Sequence, residues 1–516
     1  MTASTRPRTS GAERSARERA TPTRHERPSR FQGPAWLDGP MTSSHLVLGS
    51  AGLLLAIGLV MVFSASSIEA ALEDQPAWAP GVQQLIWAGL GVVAMLVALR
   101  LPTGLIRRWS PVALIVVAAM LLLVLVPGIG VKLNGARQWF DLGFALLQPS
   151  EIAKLVFALW GAHVLALRER YLTTSSLLVP VVPVFGILSL LIIAEPDFGG
   201  VVSLGLVLVG LLWAGGMPLR WFGWAIAGGA AGLAAVVTVS PERMSRITSF
   251  LDPFADPTDG GFQAIRGMYA LATGGFWGVG LGNSAMKWNL LPEAESDFIF
   301  AIIGEELGFL GCLVVVALYG VLAWAGFRIA RRSADRFVQL ASVGITVWLV
   351  GQAAMNMGYV VGLLPVTGVT LPLISAGGTS LILTLFIVGL LARFARSEPA
   401  AIEAQRAQTR GRIARLLLPV PAAAVDPVRP RRRPEDRAPV PSPGGGGRTL
   451  LRTRAAPSRP DARRGAALRT APPAEAQPLR ERVVPPRDRR PAANGARGGG
   501  RRQPPAGAPR RPGGAR

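Results

Sequence analysis

The sequence predicts an all-α polytopic membrane protein of about ten transmembrane helices flanked by disordered basic tails. Three observations lead there. First, from about Leu46 to Ala395 the chain is a succession of apolar runs such as LVLGSAGLLLAIGLVMVFSA. Each is close to the roughly 20 residues that carry a helix across a bilayer. Second, residues 45–396 hold nineteen basic and eighteen acidic side chains, whereas residues 1–44 hold eight Arg against four acids and residues 397–516 hold twenty-seven against nine. The tails thus supply +22 of the net +23. Third, Arg alternates between the short loops, the asymmetry that orients spans with their basic loops in the cytoplasm.

The N-terminal tail, residues 1–44, has no apolar core followed by a small-residue cleavage site. It reads as cytoplasmic, with the first span retained. Spans are expected to start near residues 45, 82, 110, 151, 177, 200, 222, 297, 338 and 379. One set of connections carries Arg100, Arg107 and Arg108, then Arg168 and Arg170, then Arg220, then Arg328, Arg331, Arg332 and Arg336, with Arg393 and Arg396 closing the last span. In the alternate set, ALEDQP after the first span, AEPDFGG after the fifth and the Gly/Pro-rich loop after the ninth carry no Arg or Lys, so both termini are expected in the cytoplasm. Two outer connections are long, about 127–149 and 241–296, and loops of that length in compact architectures usually serve a function. The C-terminal tail, residues 397–516, is dominated by Pro, Gly, Arg and Ala. It cannot bury enough apolar surface to fold. The single Cys312 excludes a disulfide within the chain.

Polar residues inside the spans are rare and gather near the outer side, in four clusters, each a candidate functional site. In NGARQWFDLGFALLQPSEIAKL, Pro149, Ser150 and Glu151 have the form of a helix start, and Lys154 lies one turn further on. The pattern fits a capped helix with an i,i+3 ion pair, or a cation held for a phosphate. In AEPDFGG, Glu195 and Asp197 share a tight turn and are the candidate metal ligands, or simply cap a loop. In LPEAESDFIFAIIGEELG, Asp297 opens the eighth span, as a cap, a dipole-stabilised anion or a loop acid. Glu305 and Glu306 lie about two turns deeper and need polar partners within the bundle. In MNMGYVVGLLPVTGVTLPLISAGGTS, Pro365, Pro372, Gly377 and Gly378 break the helix, with Ser375 and Thr379 lining the break. Irregular backbone at that depth must line a cavity or be buried in protein. Together the clusters describe an outward-facing polar cleft.

The same blocks, with DPFADPTDGGFQ and GLGNSAMKWNLLPEAESDFIFAIIGEELG, resemble the signature blocks of the SEDS family (shape, elongation, division and sporulation) over residues 45 to about 396. The long basic tail is most similar to the division member of high-GC Gram-positive bacteria, with the elongation member the near alternative. The resemblance implies a SEDS fold and a peptidoglycan glycosyltransferase. Such an enzyme polymerises lipid II outside the cytoplasmic membrane, at the septum, beside a class B penicillin-binding protein and other division proteins. It implies Asp297 as the catalytic acid. One general base on the acceptor 4-hydroxyl is enough for an inverting transfer that makes a β-1,4 bond. The departing pyrophosphate needs positive charge, for which Lys154, Arg246, Arg137 and Lys287 are the candidates. Gln263, Ser375 and Thr379 join them as substrate-binding candidates, and Ser150, Glu151, Glu305, Glu306 and Asn356 as supports of the cavity. The resemblance also implies a divalent cation, magnesium or manganese. Glu293 and Glu295 are loop acids whose charge either raises the pKa of Asp297 or is simply solvated.

A lipid II transporter and a partner-recruiting scaffold are the competing functions. A transporter usually shows repeat symmetry and polar residues on both sides of the midplane. The basic tails suit anionic cytoplasmic lipids or an acidic cytoplasmic partner. Nucleic acid is not expected, because the tail has neither interleaved aromatics nor repeated RGG.

Overall fold

The computed structural model describes residues 39–407, except 73, 134–135, 170–173, 225–226, 229–230, 232–249, 256–260 and 289–290. Residues 1–38 and 408–516 of the tails, Arg170, Arg246 and most of the expected seventh span therefore lie outside the described residues. The start of the C-terminal tail, expected to be disordered, instead forms a helix over Pro399–Ala407 that buries Ala401, Ile402 and Gln405. The chain divides after Arg432, and every described residue belongs to the first unit.

The helices are α1 (Thr42–Leu72), α2 (Ala79–Arg100), α3 (Thr103–Val124), α4 (Pro149–Leu167), α5 (Thr174–Ala194) and α6 (Phe198–Ala214), then α7 (Phe262–Gly274), α8 (Ile299–Arg332), α9 (Arg336–Val360), α10 (Thr379–Ala395) and α11 (Pro399–Ala407). Nine of the ten expected span starts fall in these helices or within two residues of them. Among the described residues seven helices are long and apolar enough to cross a membrane, or eight if α10 and α11 count as one span bent by 81°. The apolar α6 is shorter, at 17 residues. The described residues thus bear out the helical membrane fold but not the count of ten. α9 sits at the centre, with 72% of its apolar stretch buried against 17% for α3. It packs on α4, α6 and α8, while α10 lies along α2 and α8 along α1.

The loop at 127–149, of a length that suits either a functional or a disordered segment, is ordered over its described residues. It folds into a three-stranded antiparallel sheet, β1 (Gly130–Leu133), β2 (Ala136–Asp141) and β3 (Leu146–Leu147), with Leu133 opposite Ala136. A signal was present in the sequence, since Asn134-Gly135 between two short runs is the strongest short hairpin pattern.

Arginines at helix ends mark one end of the bundle. Arg107 meets Asp335 at 3.7 Å, Arg332 meets Glu398 at 3.0 Å, and Arg393 donates to the Leu101 carbonyl at 3.0 Å. The opposite end is built from non-helical backbone, whose polar groups must be paired internally at membrane depth. There α8 is broken at Gly308, where φ is 68° and ψ −167°. Segment 275–280 fills the break: Val279 and Gly280 amides donate to the Glu305 and Glu306 carbonyls at 2.9 and 3.1 Å. In return the Phe309 amide donates to the Gly275 carbonyl at 2.9 Å. A Cβ at position 308 would lie 2.3 Å from the Gly278 nitrogen, so only glycine fits.

The loop between α9 and α10 is held by side chains. Gln352 donates to the Thr370 carbonyl at 3.1 Å and Asn356 to the Val369 carbonyl at 2.7 Å, while Tyr319 donates to the Pro372 carbonyl. Ser375 Oγ accepts the Leu371 amide at 2.7 Å and donates to the Ser296 carbonyl at 2.6 Å, fastening this loop to the turn ahead of α8.

Gly308→Ala is expected to cost about 1–3 kcal/mol in backbone strain alone, plus the clash with Gly278. It should lower the thermal unfolding midpoint of the purified protein. Gly320→Ala, whose added methyl meets nothing within 4 Å, should not.

Candidate functional site

A cleft of about 790 Å³ opens at the end of the bundle opposite the arginines. Its floor carries Glu151 and Lys154 from α4 and Asp197 from the turn before α6. One wall is the turn Glu293–Asp297, and the other is the irregular loop from Gly368 to Ser380.

Lys154 is 1% exposed, one turn into α4. Its ammonium pairs with Glu151 Oε1 at 2.6 Å and lies 5.3 Å from the centre of the Trp348 ring. The ion pair expected from the i,i+3 spacing is present, and Lys154 still lines the cleft. No other lysine or arginine among the described residues lines it, against five carboxylates: Asp141, Glu151, Asp197, Glu293 and Asp297.

Asp297 stands two residues before the first helical residue of α8, which starts without a side-chain cap. Asp297 is therefore not the cap of α8; it stands just ahead of the helix N-terminus as a carboxylate that lines the cleft. Its backbone is fixed from beneath, the Asp297 carbonyl accepting from Asn356 Nδ2 and the Tyr359 hydroxyl, both at 2.9 Å. The turn before it is strained, because Glu293 holds φ at +56°. The Glu293 carbonyl accepts the Ser296 and Phe298 amides at 3.3 and 3.1 Å, which closes the turn. Burial, then the negative charge of Glu293, push the Asp297 carboxyl up to about 7. Of the two loop acids that could tune Asp297, Glu293 is the one that raises it. Glu295 instead uses its carbonyl to accept the Ala376 amide at 2.8 Å.

Glu195 and Asp197 do not fit a resident divalent cation. Asp197 is the N-cap of α6, with Oδ1 accepting the Gly200 amide at 2.6 Å and Oδ2 accepting Ser150 Oγ at 3.0 Å and Gln148 Nε2 at 3.3 Å. Glu195 is fully buried and outside the cleft lining, and its two carboxylate oxygens have no hydrogen-bond partner among the described residues. Burial, then Asp197, push its carboxyl up to about 8, so it is largely protonated at neutral pH. A carboxyl that holds its proton is a poor metal ligand. Among the described residues no three His, Cys, Asp or Glu side chains form a group able to hold a metal.

Several expected substrate contacts lie elsewhere. Lys287 is buried beneath its loop, 3.4 Å from Glu306 Oε1 and 2.5 Å from the Gly282 carbonyl, so its charge is spent inside the protein. Arg137 donates to the Leu125 carbonyl at 3.3 Å and does not line the cleft. Gln263, in the first turn of α7, is also absent from the lining, and Ser375 fastens the loop as described. Thr379 does line the cleft and donates to the Leu146 carbonyl at 2.8 Å. The deeper acids find the polar partners the sequence required. Glu306 accepts Ser64 Oγ at 2.8 Å, and Glu305 accepts Ser284 Oγ and the Ala285 amide, the latter at 2.9 Å. The sequence did not single out Gln83, Trp87, Gln138, Trp139 or Phe144, which complete the cleft from α2 and the sheet. Only the Asn-Gly hairpin pattern pointed toward them.

The sequence profile of the family described as "Cell cycle protein" (FtsW, RodA, SpoVE) matches residues 44–399. The protein called "Probable peptidoglycan glycosyltransferase FtsW" in Mycobacterium tuberculosis is 43% identical over 483 residues, 92% of each chain. "Stage V sporulation protein E" of Bacillus subtilis is 40% identical over 348 residues, 67% of this chain and 94% of that one. Among solved structures, a chain from the work described as "Structural coordination of polymerization and crosslinking by a peptidoglycan synthase complex" aligns with a TM-score of 0.58 at 26% identity. It covers 68% of this chain and 97% of its own. The rod shape determining protein RodA of Thermus thermophilus aligns at 0.52 and 25% identity, covering 71% and 99%.

Glu195 yields a prediction on stability. An ordinary glutamate carboxyl titrates at 4.5 and this one near 8. Folding therefore takes up a proton between those values, and stability falls as pH rises through that window. Relative to wild type, Glu195→Gln should gain in unfolding midpoint as pH is raised from 5 to 9. A difference that stays constant with pH would contradict the buried, raised carboxyl.

Proposed function

The chain belongs to the FtsW, RodA and SpoVE family of cell cycle proteins, the SEDS family, and on that premise we propose that Asp297 is the general base of its glycosyl transfer. The protein is a multi-pass membrane peptidoglycan glycosyltransferase of the division type. In the proposed reaction two lipid II molecules, or a growing glycan and one lipid II, meet at the cleft. Asp297 takes the proton of the acceptor 4-hydroxyl as that oxygen attacks the anomeric carbon of the donor. The α-linked pyrophosphate leaves from the opposite face, giving a β-1,4 bond with inversion.

A base works best when its pKa lies near the working pH, and the value of about 7 for Asp297 meets that condition. Lys154 is placed to meet the departing pyrophosphate, and Glu151 holds its ammonium at 2.6 Å. The observation that carries the proposal is that a raised, uncapped carboxylate and a buried ammonium line one cleft. Among the described residues the cleft sets five carboxylates beside a single lysine, a balance that disfavours a bare pyrophosphate. The proposed divalent cation, magnesium or manganese, therefore arrives bound to that group instead of residing at Glu195 and Asp197.

The proposed setting is the division septum, with both termini and the arginine-rich end in the cytoplasm. A class B penicillin-binding protein serves as crosslinking partner, and the C-terminal tail lies on anionic lipid or binds an acidic partner. Lateral growth defects on depletion, with no filamentation, would favour the elongation role.

The test is to purify the full chain with its cognate transpeptidase, supply labelled lipid II and follow glycan chain length. Wild type should polymerise, and Asp297→Asn should be slower by about 10²–10⁴-fold, the usual contribution of a general base. Equal polymerisation by both would remove Asp297 from that role. Lipid II crossing a vesicle wall with no glycan formed would favour transport.

A further inference from the structure

The wall of the cleft contributed by the sheet and α2 has no part in the proton transfer or the pyrophosphate contact. Trp139 on β2, Phe144 on the tip between β2 and β3, and Trp87 on α2 put three aromatic side chains on this wall. Phe144 is 76% exposed, a large apolar ring left in contact with solvent. The same wall carries three polar residues, Gln83, Gln138 and Asp141, of which Gln83 and Asp141 are exposed. Asp141 turns one carboxylate oxygen inward to accept the Gly143 amide at 2.7 Å, which closes the tip.

Both parts of the wall are anchored at one place. The Trp87 ring lies against Gly378, where an added Cβ would sit 3.2 Å from Cε2. The next residue, Thr379, holds β3 through the Leu146 carbonyl. The separation of Trp87 from the β2–β3 tip is therefore set by the start of α10, not by a mobile loop.

We propose that Trp87, Trp139 and Phe144, with Gln83 and Asp141, form a carbohydrate platform that seats a pyranose ring of the lipid-linked substrate within the same cleft as Asp297. A pyranose has an apolar face of C–H bonds and an equatorial rim of hydroxyl and acetamido groups. The face suits an aromatic ring, and the rim suits an amide and a carboxylate. Ligand sites have this composition, predominantly apolar and aromatic with a few placed polar groups. A tip that dips into lipid would gain nothing from Gln83 and Asp141, whose burial there without partners is costly. This platform rests on the proposed glycosyl transfer, and it adds a sugar-recognition role that the base and the lysine do not supply.

The experiment uses the full chain in complex with its transpeptidase, in nanodiscs, and two probes: fluorescent lipid II, and the polyprenyl pyrophosphate without sugars. Phe144→Ala and Trp139→Ala should each weaken lipid II binding roughly tenfold, an aromatic contact's worth of affinity, and leave the sugar-free probe unchanged. Phe144→Trp should bind lipid II like wild type, and Phe144→Leu should bind it as poorly as Phe144→Ala. Equal weakening of both probes, or wild-type binding by Phe144→Leu, would overturn the platform and assign the tip to lipid. Unchanged binding in Phe144→Ala and Trp139→Ala would overturn it as well. Glycan synthesis is followed in the same wild-type sample. If lipid II binding depends on the tip while wild type makes no glycan, the platform stands and the transferase reading falls.

Discussion

A backbone amide or carbonyl left unpaired within a bilayer costs several kcal/mol, and this protein builds its cleft from non-helical backbone. Besides the sheet, the described residues 275–288, 291–298 and 361–378 depart from helix there, the first two ranges forming one segment and the third a second. The first is paired through the break in α8, where segment 275–280 and residues 305–310 exchange amide and carbonyl bonds around Gly308. The second is paired by side chains of its neighbours: Gln352, Asn356 and Tyr359 from α9, Tyr319 from α8 and Gln84 from α2. Asn356 serves both segments, since its two amide protons reach the Asp297 carbonyl and the Val369 carbonyl, and the single hydroxyl proton of Tyr359 lies within reach of the same two carbonyls. The backbone under Asp297 is thus held by the same bonds that make the irregular loops tolerable.

The acids of LPEAESDFIFAIIGEELG divide according to that framework. Glu305 and Glu306 are 0 and 1% exposed and fully engaged, the first by the loop at Ser284 and Ala285, the second by Ser64 of α1 and Lys287. They tie the outer loop to the bundle, and they explain why Lys287 has no charge to spare for a substrate. Asp297 has burial and the Glu293 charge to raise its pKa, and no cap or cation to lower it. A carboxylate that the fold leaves uncompensated is available for chemistry.

Hydrophobic run length and Arg placement made the helices legible, because the bilayer imposes both directly. Asp297, Lys154, Glu151, Asp197 and Thr379 were legible as cleft residues, because polar side chains at the outer ends of apolar helices have few other places to go. Other assignments needed three-dimensional partners. Lys287 and Arg137 carry the right charge for a phosphate, but Glu306 and the Leu125 carbonyl reach them first, across 19 and 12 residues of chain. Glu195 and Asp197 share a turn, yet capping took one and burial the other. Glu293 and Glu295 both stand a few residues before Asp297 in sequence, and only the folded turn selects Glu293 as the one whose charge raises Asp297. The sheet went unseen because its strands are short, four, six and two residues, and a long loop between membrane helices invited no strand assignment.

The central claim is that one half-buried carboxylate, Asp297, tuned by desolvation and by Glu293, accepts the proton in the transfer. The most direct measurement is the pH dependence of kcat/KM for glycan synthesis by wild type and by Glu293→Gln. The account predicts a rate that falls as pH drops through about 7 in wild type. In Glu293→Gln the same fall should move to lower pH, because the charge that raises Asp297 is gone. A wild-type rate that stays flat from pH 8 down to about 5, where an unperturbed aspartate is still ionised, would contradict the account. So would a fall near 7 that Glu293→Gln leaves in place.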